Sequence, residues 1–130
     1  MKTIDPNEHT LQEVLDFIYA RIKEQGGPSV TESGKCLYRH PDGLRACAAG
    51  WCIPDDQYSP DIEGLSARKA LAAVGIHLEP TMVTFLHGLQ YAHDSAADHI
   101  IEGETKRFWS PFDNSINKLV KQYNLESPVQ

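Results

Sequence analysis

Three cysteines and one histidine whose side chains could do chemistry lie within 17 residues: Cys36, His40, Cys47 and Cys52. Structural zinc takes four thiolate or imidazole ligands, usually delivered as two close pairs. The spacings here are three, six and four intervening residues, and only the first and last resemble such a pair. Free cysteine is among the residue types most often buried. We therefore interpret the thiols as core residues and predict no cofactor, with zinc as the weaker alternative.

Cys47 is the weak candidate for a catalytic nucleophile. It follows Arg45, and a helix beginning near Leu44 would place it in the first turn, where free amides and a guanidinium lower a thiol pKa from about 8.5. A base such as His40 would be needed as partner, and no acidic residue stands in register to orient it. The pattern leaves open whether the chain is an enzyme and favours that it is not.

An anion could bind at the same stretch without catalysis. Arg39, His40 and Arg45 surround the turn at residues 41–43, just before a predicted helical start whose N–H groups could hold a phosphate or carboxylate. A nucleotide-type ligand would suit these groups, although the turn matches no known phosphate-binding loop. The alternative is that both arginines pair with nearby aspartates.

The middle of the chain is acidic. Residues 53–104 carry 2 basic and 9 acidic groups, so their net charge of 2 − 9 = −7 is larger in magnitude than the −6 of the whole chain. Such a surface repels phosphate backbones and anionic membranes and attracts basic protein patches. We therefore predict a protein partner and neither nucleic acid nor membrane, although the charge could serve only to keep the chain in solution. The predicted partner-binding residues are Asp55, Asp56, Asp61, Glu63 and Trp109.

A second histidine-rich stretch follows further along the chain. If its helix ran unbroken, His87, Asp94 and Asp98 would share a face, because separations of seven and four return to nearly the same side. Such a set could hold a divalent metal. A solvated polar face is the favoured interpretation.

Local signals predict the elements that position these residues. Thr10 and Glu13 form a capping box, which predicts a helix over 10–25 ended by Gly26. Residues prone to β structure on either side of a Glu-Ser-Gly turn predict a hairpin over 29–39. The alanine-rich stretch 44–53 favours a short helical turn.

Serine and proline signals mark the later helices. Ser59 and Ser66 are caps of short helices. A longer helix begins near Pro80 and carries an apolar stripe that should enter the core: Met82, Phe85, Leu86 and Leu89. A last helix is predicted over 111–123, preceded by a break at Gly103.

The predicted fold is mainly α (α+β): one domain over 1–130 with four to five helices and the small hairpin, its ends 1–7 and 125–130 frayed. No apolar run approaches the ~20 residues of a membrane span. The start lacks a secretory signal, so we expect a cytoplasmic protein with reduced thiols. The oligomeric state stays open.

The stretch from Cys36 to Asp55 reads C-x-Y-R-x-P-D-G-L-x-x-C-A-x-G-x-x-I-P-D. It resembles a signature of small uncharacterised proteins encoded by bacteriophages and bacteria, and the preceding helix is similar to theirs. The resemblance covers about residues 10–65. It implies a bacterial or phage cytoplasmic setting and carries over no catalytic residue. Some relatives have a cysteine where this chain has Trp51, which further weakens the zinc alternative.

The sequence therefore predicts a non-enzymatic binding protein, such as a phage accessory or anti-defence protein that engages a host or phage protein through its acidic surface. The alternative is a small-ligand site or a cysteine-dependent enzyme built on Arg39, His40, Arg45 and Cys47.

Overall fold

Four α-helices dominate the computed structural model, which describes residues 2–100 and 104–130. The helices are α1 Leu11–Gln25, α2 Ala67–Ala73, α3 Pro80–Ala97 and α4 Lys106–Tyr123. Single 3-10 turns lie at Pro6–Glu8, Ala49–Cys52, Asp55–Gln57 and Pro60–Ile62. The prediction of a mainly α fold with four to five helices is confirmed.

The predicted caps start α1 and α2. At α1 the Thr10 hydroxyl accepts from the N–H of Glu13, while the Glu13 carboxylate accepts from the N–H of Thr10. Gly26 ends α1 in the left-handed region, with φ 88°. Ser66 caps α2 by accepting from the N–H of Lys69. Each device satisfies main-chain groups that a helix end leaves without partners.

The core lies between α3, α4 and α1. α3 packs chiefly on α4, and α2 covers another side of α3. The Phe112 ring stacks on Tyr19 with centroids 5.8 Å apart and on Phe108 with centroids 4.8 Å apart. The stripe predicted on α3 is buried: Met82, Phe85, Leu86 and Leu89.

The hairpin predicted over 29–39 is wrong, because no β-strand forms among the described residues. Two isolated antiparallel bridges occur instead, between Val30 and Cys36 and between Arg39 and Ala46. The main-chain N–H groups of Tyr38 and Arg39 donate to the carboxylate of Glu63, over 2.8 and 3.2 Å. The ladder would next need the N–H groups of Arg39 and Ser29, and these donate to the side chains of Glu63 and His93 instead. The ladder therefore stops after single pairs.

The last helix begins earlier than predicted. α4 starts at Lys106 rather than 111, so Pro111 lies inside it. Phe108 is fully buried against Phe112. Burying this ring favours an added helical turn over the local stop that proline indicates.

The stretch 44–53 forms only the four-residue turn Ala49–Cys52. Trp51 in this turn is 6% exposed and is therefore a core residue. The predicted break at Gly103 lies outside the described residues. No helix in the described part of the chain has the length and apolar character needed to cross a membrane.

Both end segments contact the rest of the structure. Ile4 is buried, and its N–H donates to the carbonyl of Trp51 over 3.0 Å. Residues 125–130 lie against α1, with a main-chain contact to Gln12. Fraying of the two ends in solution stays a prediction.

Candidate functional site

Arg39 directs its guanidinium into the protein. Nη1 donates to Asp55 Oδ1 over 2.5 Å, Nη2 donates to the carbonyl of Ile53, and Nε donates to the carbonyl of Gly50 over 3.3 Å. The side chain is only 12% exposed. Arg39 therefore joins the 3-10 turn Ala49–Cys52 and residues 53–55 to the isolated bridge that Arg39 forms with Ala46.

Arg45 is engaged in a similar way at the 41–43 turn. Nε donates to Asp42 over 2.8 Å, Nη1 donates to the carbonyl of Pro28 over 3.3 Å, and Nη2 donates to His40 Nε2 over 2.9 Å. Burial alone would raise the pKa of Asp42, but hydrogen bonds from the N–H of Leu44 and from Arg45 lower it to about 2. The ion pairs that the sequence left open as the alternative to a ligand site are thus formed at both arginines.

His40 and Arg45 also line a cavity of about 580 Å³ between residues 28–34 and the end of α3. Each Nη of Arg45 keeps one further N–H, because a guanidinium carries five donors. The carboxylate of Asp42 already offsets the charge of Arg45. Because the Arg45–Asp42 pair has little net charge, it attracts an anion only weakly.

All three cysteines are free thiols. Burial raises the pKa of Cys47 well above its ordinary value, and burial raises the pKa of Cys52 to about 12. Cys36 is half-buried, and burial together with the Asp94 carboxylate raises its pKa to about 12. A thiol with such a pKa is almost wholly protonated at neutral pH and is a poor nucleophile and metal ligand.

The structure does not bring the predicted zinc ligands together. Among the described residues, one group of potential metal-binding side chains has ligand atoms within 4.8 Å of one another, and it consists of Cys36, His93 and Asp94. Cys36 and Asp94 line a small cavity of about 220 Å³ beside α3.

His93 has no nitrogen left for a metal. Its ring is fully buried; Nε2 accepts from the N–H of Ser29 over 3.0 Å, and Nδ1 lies 2.8 Å from Asp94 Oδ1. Because a main-chain N–H can only donate, Nε2 carries no proton, and Nδ1–H therefore donates to Asp94. A metal at either nitrogen would have to break one of these bonds. His93 therefore has a structural role, since it fixes the main chain at Ser29 to α3, and we call it the pin below.

The pin belongs to a network on α3. The Gln90 side chain donates to Asp94 Oδ1 over 2.9 Å and accepts from the N–H of Ala49 over 2.9 Å. Together with His93 and Ser29, this chain of bonds joins the 3-10 turn to the segment before Cys36. These polar contacts hold residues 36–53, called the cysteine stretch below, on α3. Sequence reasoning missed His93, although it lies four residues after Leu89 on the stripe that α3 buries.

The predicted partner-binding residues divide into two groups. Glu63 is used internally: its carboxylate accepts from Tyr38, Arg39 and the Tyr58 hydroxyl, the last over 2.6 Å. Asp55 is paired with Arg39.

Trp109 is partly buried, with its ring edge-on to Phe108 at 5.0 Å and the Lys23 ammonium 4.4 Å from its centroid. Asp56 and Asp61 are exposed, and no hydrogen bond to either carboxylate is formed by the described residues.

The 3-10 turns Asp55–Gln57 and Pro60–Ile62 are called the acidic turns below. A cavity of about 520 Å³ lies beside them. Leu37, Pro41, Tyr58 and Pro60 form its apolar wall, and the charged or titratable residues that line it are Arg39, His40, Asp55 and Glu63. Apolar surface next to carboxylates is suited to an aliphatic side chain that ends in a positive charge.

Fold and site together define a mainly α-helical chain whose cysteine stretch is a buried, hydrogen-bonded structural element. No family model, curated protein or solved structure matches this chain. The resemblance to phage and bacterial proteins therefore stays a prediction.

Proposed function

We propose that this chain is a non-enzymatic binding protein that engages a basic segment of a host or phage protein through its acidic turns. The observation that carries the proposal is the exposure of Asp56 and Asp61, which follow directly in sequence after Asp55 and Pro60, two residues that line the 520 Å³ cavity. Carboxylates left to solvent attract a basic partner, and the adjoining apolar wall supplies contact area. Free thiols suit the reducing cytoplasm of a bacterial cell.

The internal use of Glu63 sharpens the proposal. Its carboxylate holds Tyr38, Arg39 and Tyr58 in place, so it shapes the cavity wall rather than meeting the partner. Asp55 similarly fixes Arg39. The partner's charges are therefore met by Asp56 and Asp61.

Charge reversal tests the surface directly. In a pull-down from bacterial lysate with the tagged chain, Asp56→Lys/Asp61→Lys is expected to lose a partner that the unaltered chain retains. The same partner should dissociate as salt rises from about 0.1 M to about 1 M, because screening shortens the reach of surface charge. Bound proteins are identified by mass spectrometry.

The matched control is Glu79→Lys/Asp98→Lys, which makes the same change of net charge at two exposed positions flanking α3. It should retain the partner. A partner kept by the reversed turns, or lost equally in the control, would remove the support for these turns as the binding surface.

The competing function is a cysteine-dependent enzyme. Against it stand the burial of Cys47, which is 1% exposed, and the raised pKa of all three thiols. A thiolate activated by a base or a positive charge would have a lowered pKa.

Thiol labelling separates the two functions. With iodoacetamide at pH 6 and pH 8, we expect the folded chain to label slowly at every cysteine, with Cys36 the fastest because it alone is half-buried. In denaturant all three should label at the rate of an ordinary thiol. Fast labelling confined to Cys47 at pH 6, measured by peptide mass spectrometry, would favour the enzyme.

A further inference from the structure

Residues 125–130 turn back after Asn124, which ends α4 in the left-handed region with φ 55°. The side chain of Gln12 on α1 holds this segment by its main chain. Nε2 donates to the carbonyl of Glu126 over 2.9 Å, and Oε1 accepts from the N–H of Glu126 over 2.8 Å. Nε2 also donates to Asp16 over 3.0 Å, which orients the amide. Pairing with an N–H and a C=O together is how a neighbouring strand binds an extended chain, whatever its side chains.

Side chains of the segment add two kinds of contact. Leu125 and Val129 are partly buried against the core. The Ser127 hydroxyl donates to Asn117 Oδ1 on α4 over 2.6 Å. The segment is thus bound like a docked peptide, by a main-chain clamp, apolar anchors and one polar contact.

The segment covers the groove between α1 and α4 without filling it. A cavity of about 800 Å³ remains between it and the two helices. The groove is open to solvent on one side, so a further side chain could be accommodated in it beside the segment. The helix walls carry Asp16, Glu24 and Asp113 against Lys23, and Glu24 is paired with Arg21 over 2.8 Å. A net negative charge remains along the groove, which favours a basic side chain.

A second clamp at the other end of α1 shows the difference between a permanent and a releasable contact. Gln25 binds the carbonyl and N–H of Ala46 over 2.9 and 3.0 Å, and Ala46 is fully buried. Glu126 is exposed. Opening the Gln12 clamp exposes only the partly buried Leu125 and Val129, whereas opening the Gln25 clamp would require the fully buried Ala46 and its neighbours to unfold.

We propose that the groove between α1 and α4 binds an extended segment of a partner protein, and that residues 125–130 occupy it as an intramolecular competitor. The partner segment presents a main-chain N–H and C=O to Gln12, an apolar side chain where Val129 now lies, and a basic side chain over the cavity. This groove shares no residue with the acidic turns, so the two sites stand or fall separately.

The test uses the full-length chain and a fluorescein-labelled peptide of residues 124–130, followed by fluorescence anisotropy. Glu126→Pro removes the N–H that Gln12 binds and leaves the groove itself intact. It is expected to bind the peptide about tenfold tighter than the unaltered chain, because the competitor is weakened. Glu126→Ala keeps the N–H and should bind like the unaltered chain.

Gln12→Ala combined with Glu126→Pro should lose the gained affinity, since the clamp is then missing from the groove. Val129→Ser releases the segment by another route and should reproduce the gain. Equal peptide binding by Glu126→Pro, Val129→Ser and the unaltered chain would overturn the proposal and leave the segment as a fixed part of the fold. A dimer in sedimentation velocity that Glu126→Pro abolishes would assign the groove to a second copy and would also overturn it.

Discussion

Replacing Gly50 with alanine is expected to lower the free energy of unfolding by at least ~3 kcal/mol. A Cβ at this position would lie 2.0 Å from the carbonyl oxygen of Tyr38 and 2.9 Å from its carbonyl carbon. Both are main-chain atoms, and the N–H of Tyr38 is held by Glu63, so the neighbour cannot move aside freely. The carbonyl of Gly50 also accepts from Arg39 Nε, a bond that would be disturbed as well.

Urea unfolding followed by circular dichroism measures this loss. Since a domain of this size is stable by roughly 5–15 kcal/mol, the variant should be partly unfolded or melt at much lower denaturant. The matched control is Gly88→Ala on α3, whose Cβ would meet the Cδ2 atom of Leu119 at 2.6 Å. That atom is the end of a flexible side chain, and alanine favours a helix over glycine by ~1 kcal/mol.

The control is therefore expected to change stability by less than about 1 kcal/mol. Similar losses in both variants would mean that the approach of Tyr38 to Gly50 is not what constrains this position. An unaffected Gly50→Ala variant would contradict the packing of the cysteine stretch itself.

This close approach explains the small residues around Cys47. Ala46, Ala48 and Ala49 are fully buried, and the main chain at Tyr38 runs directly over Gly50. The sequence shows the run of small side chains but not the segment that crosses it. Composition alone predicts that this stretch is buried. The requirement for small side chains comes from the contact between Tyr38 and Gly50, which are twelve residues apart.

Elements whose signals are local could be predicted. The capping box at Thr10, the cap at Ser66 and the stripe from Met82 to Leu89 each depend on residues within one or two turns, and each occurs as expected. Such signals act through main-chain groups and helical spacing alone. They require no knowledge of what packs on the helix.

Elements whose structure depends on residues far away in the sequence could not be predicted. The hairpin failed because two N–H groups that its ladder would use next are taken by distant side chains: Glu63 accepts from Arg39, and His93 accepts from Ser29. The start of α4 was displaced because burial of Phe108 outweighs the local preference at Pro111. In both cases tertiary contacts override propensity.

The candidate site shows the same division. Charge alone singled out the acidic turns, but it could not separate Asp56 and Asp61 from Glu63, whose carboxylate is consumed by three internal donors. Which carboxylates remain for a partner depends on where the chain folds back. The same holds for Arg45, one of whose donors goes to the carbonyl of Pro28, a residue that only the fold brings near.

His93→Ala is expected to lower the free energy of unfolding by ~3–5 kcal/mol. The ring is fully buried, lies edge-on to Phe108 with centroids 5.8 Å apart, and binds both Ser29 and Asp94. Alanine would leave a cavity and would strip the buried N–H of Ser29 of its acceptor. The space would be lined by polar groups of Ser29 and Asp94, so a water that entered it would bring the loss toward the lower end of this range.

His93→Phe separates the two effects, since it keeps the ring volume and removes both nitrogens. It should cost ~1–3 kcal/mol, the cost of an unsatisfied buried donor. His93→Gln can place an oxygen near the position of Nε2 and should recover part of the stability. Urea unfolding of the three variants at one pH gives the order Ala, Phe, Gln from least to most stable.

Ser29→Ala is the control, because the Ser29 hydroxyl is buried without a hydrogen-bond partner among the described residues, while the bond to His93 comes from the main chain. Removing that hydroxyl should leave stability unchanged or slightly raised, as loss of an unsatisfied buried polar group does. If Ser29→Ala costs as much as His93→Phe, the hydroxyl rather than the main-chain bond holds this segment. If His93→Ala costs less than ~1 kcal/mol, the cysteine stretch is fixed by apolar packing alone and the pin contributes nothing.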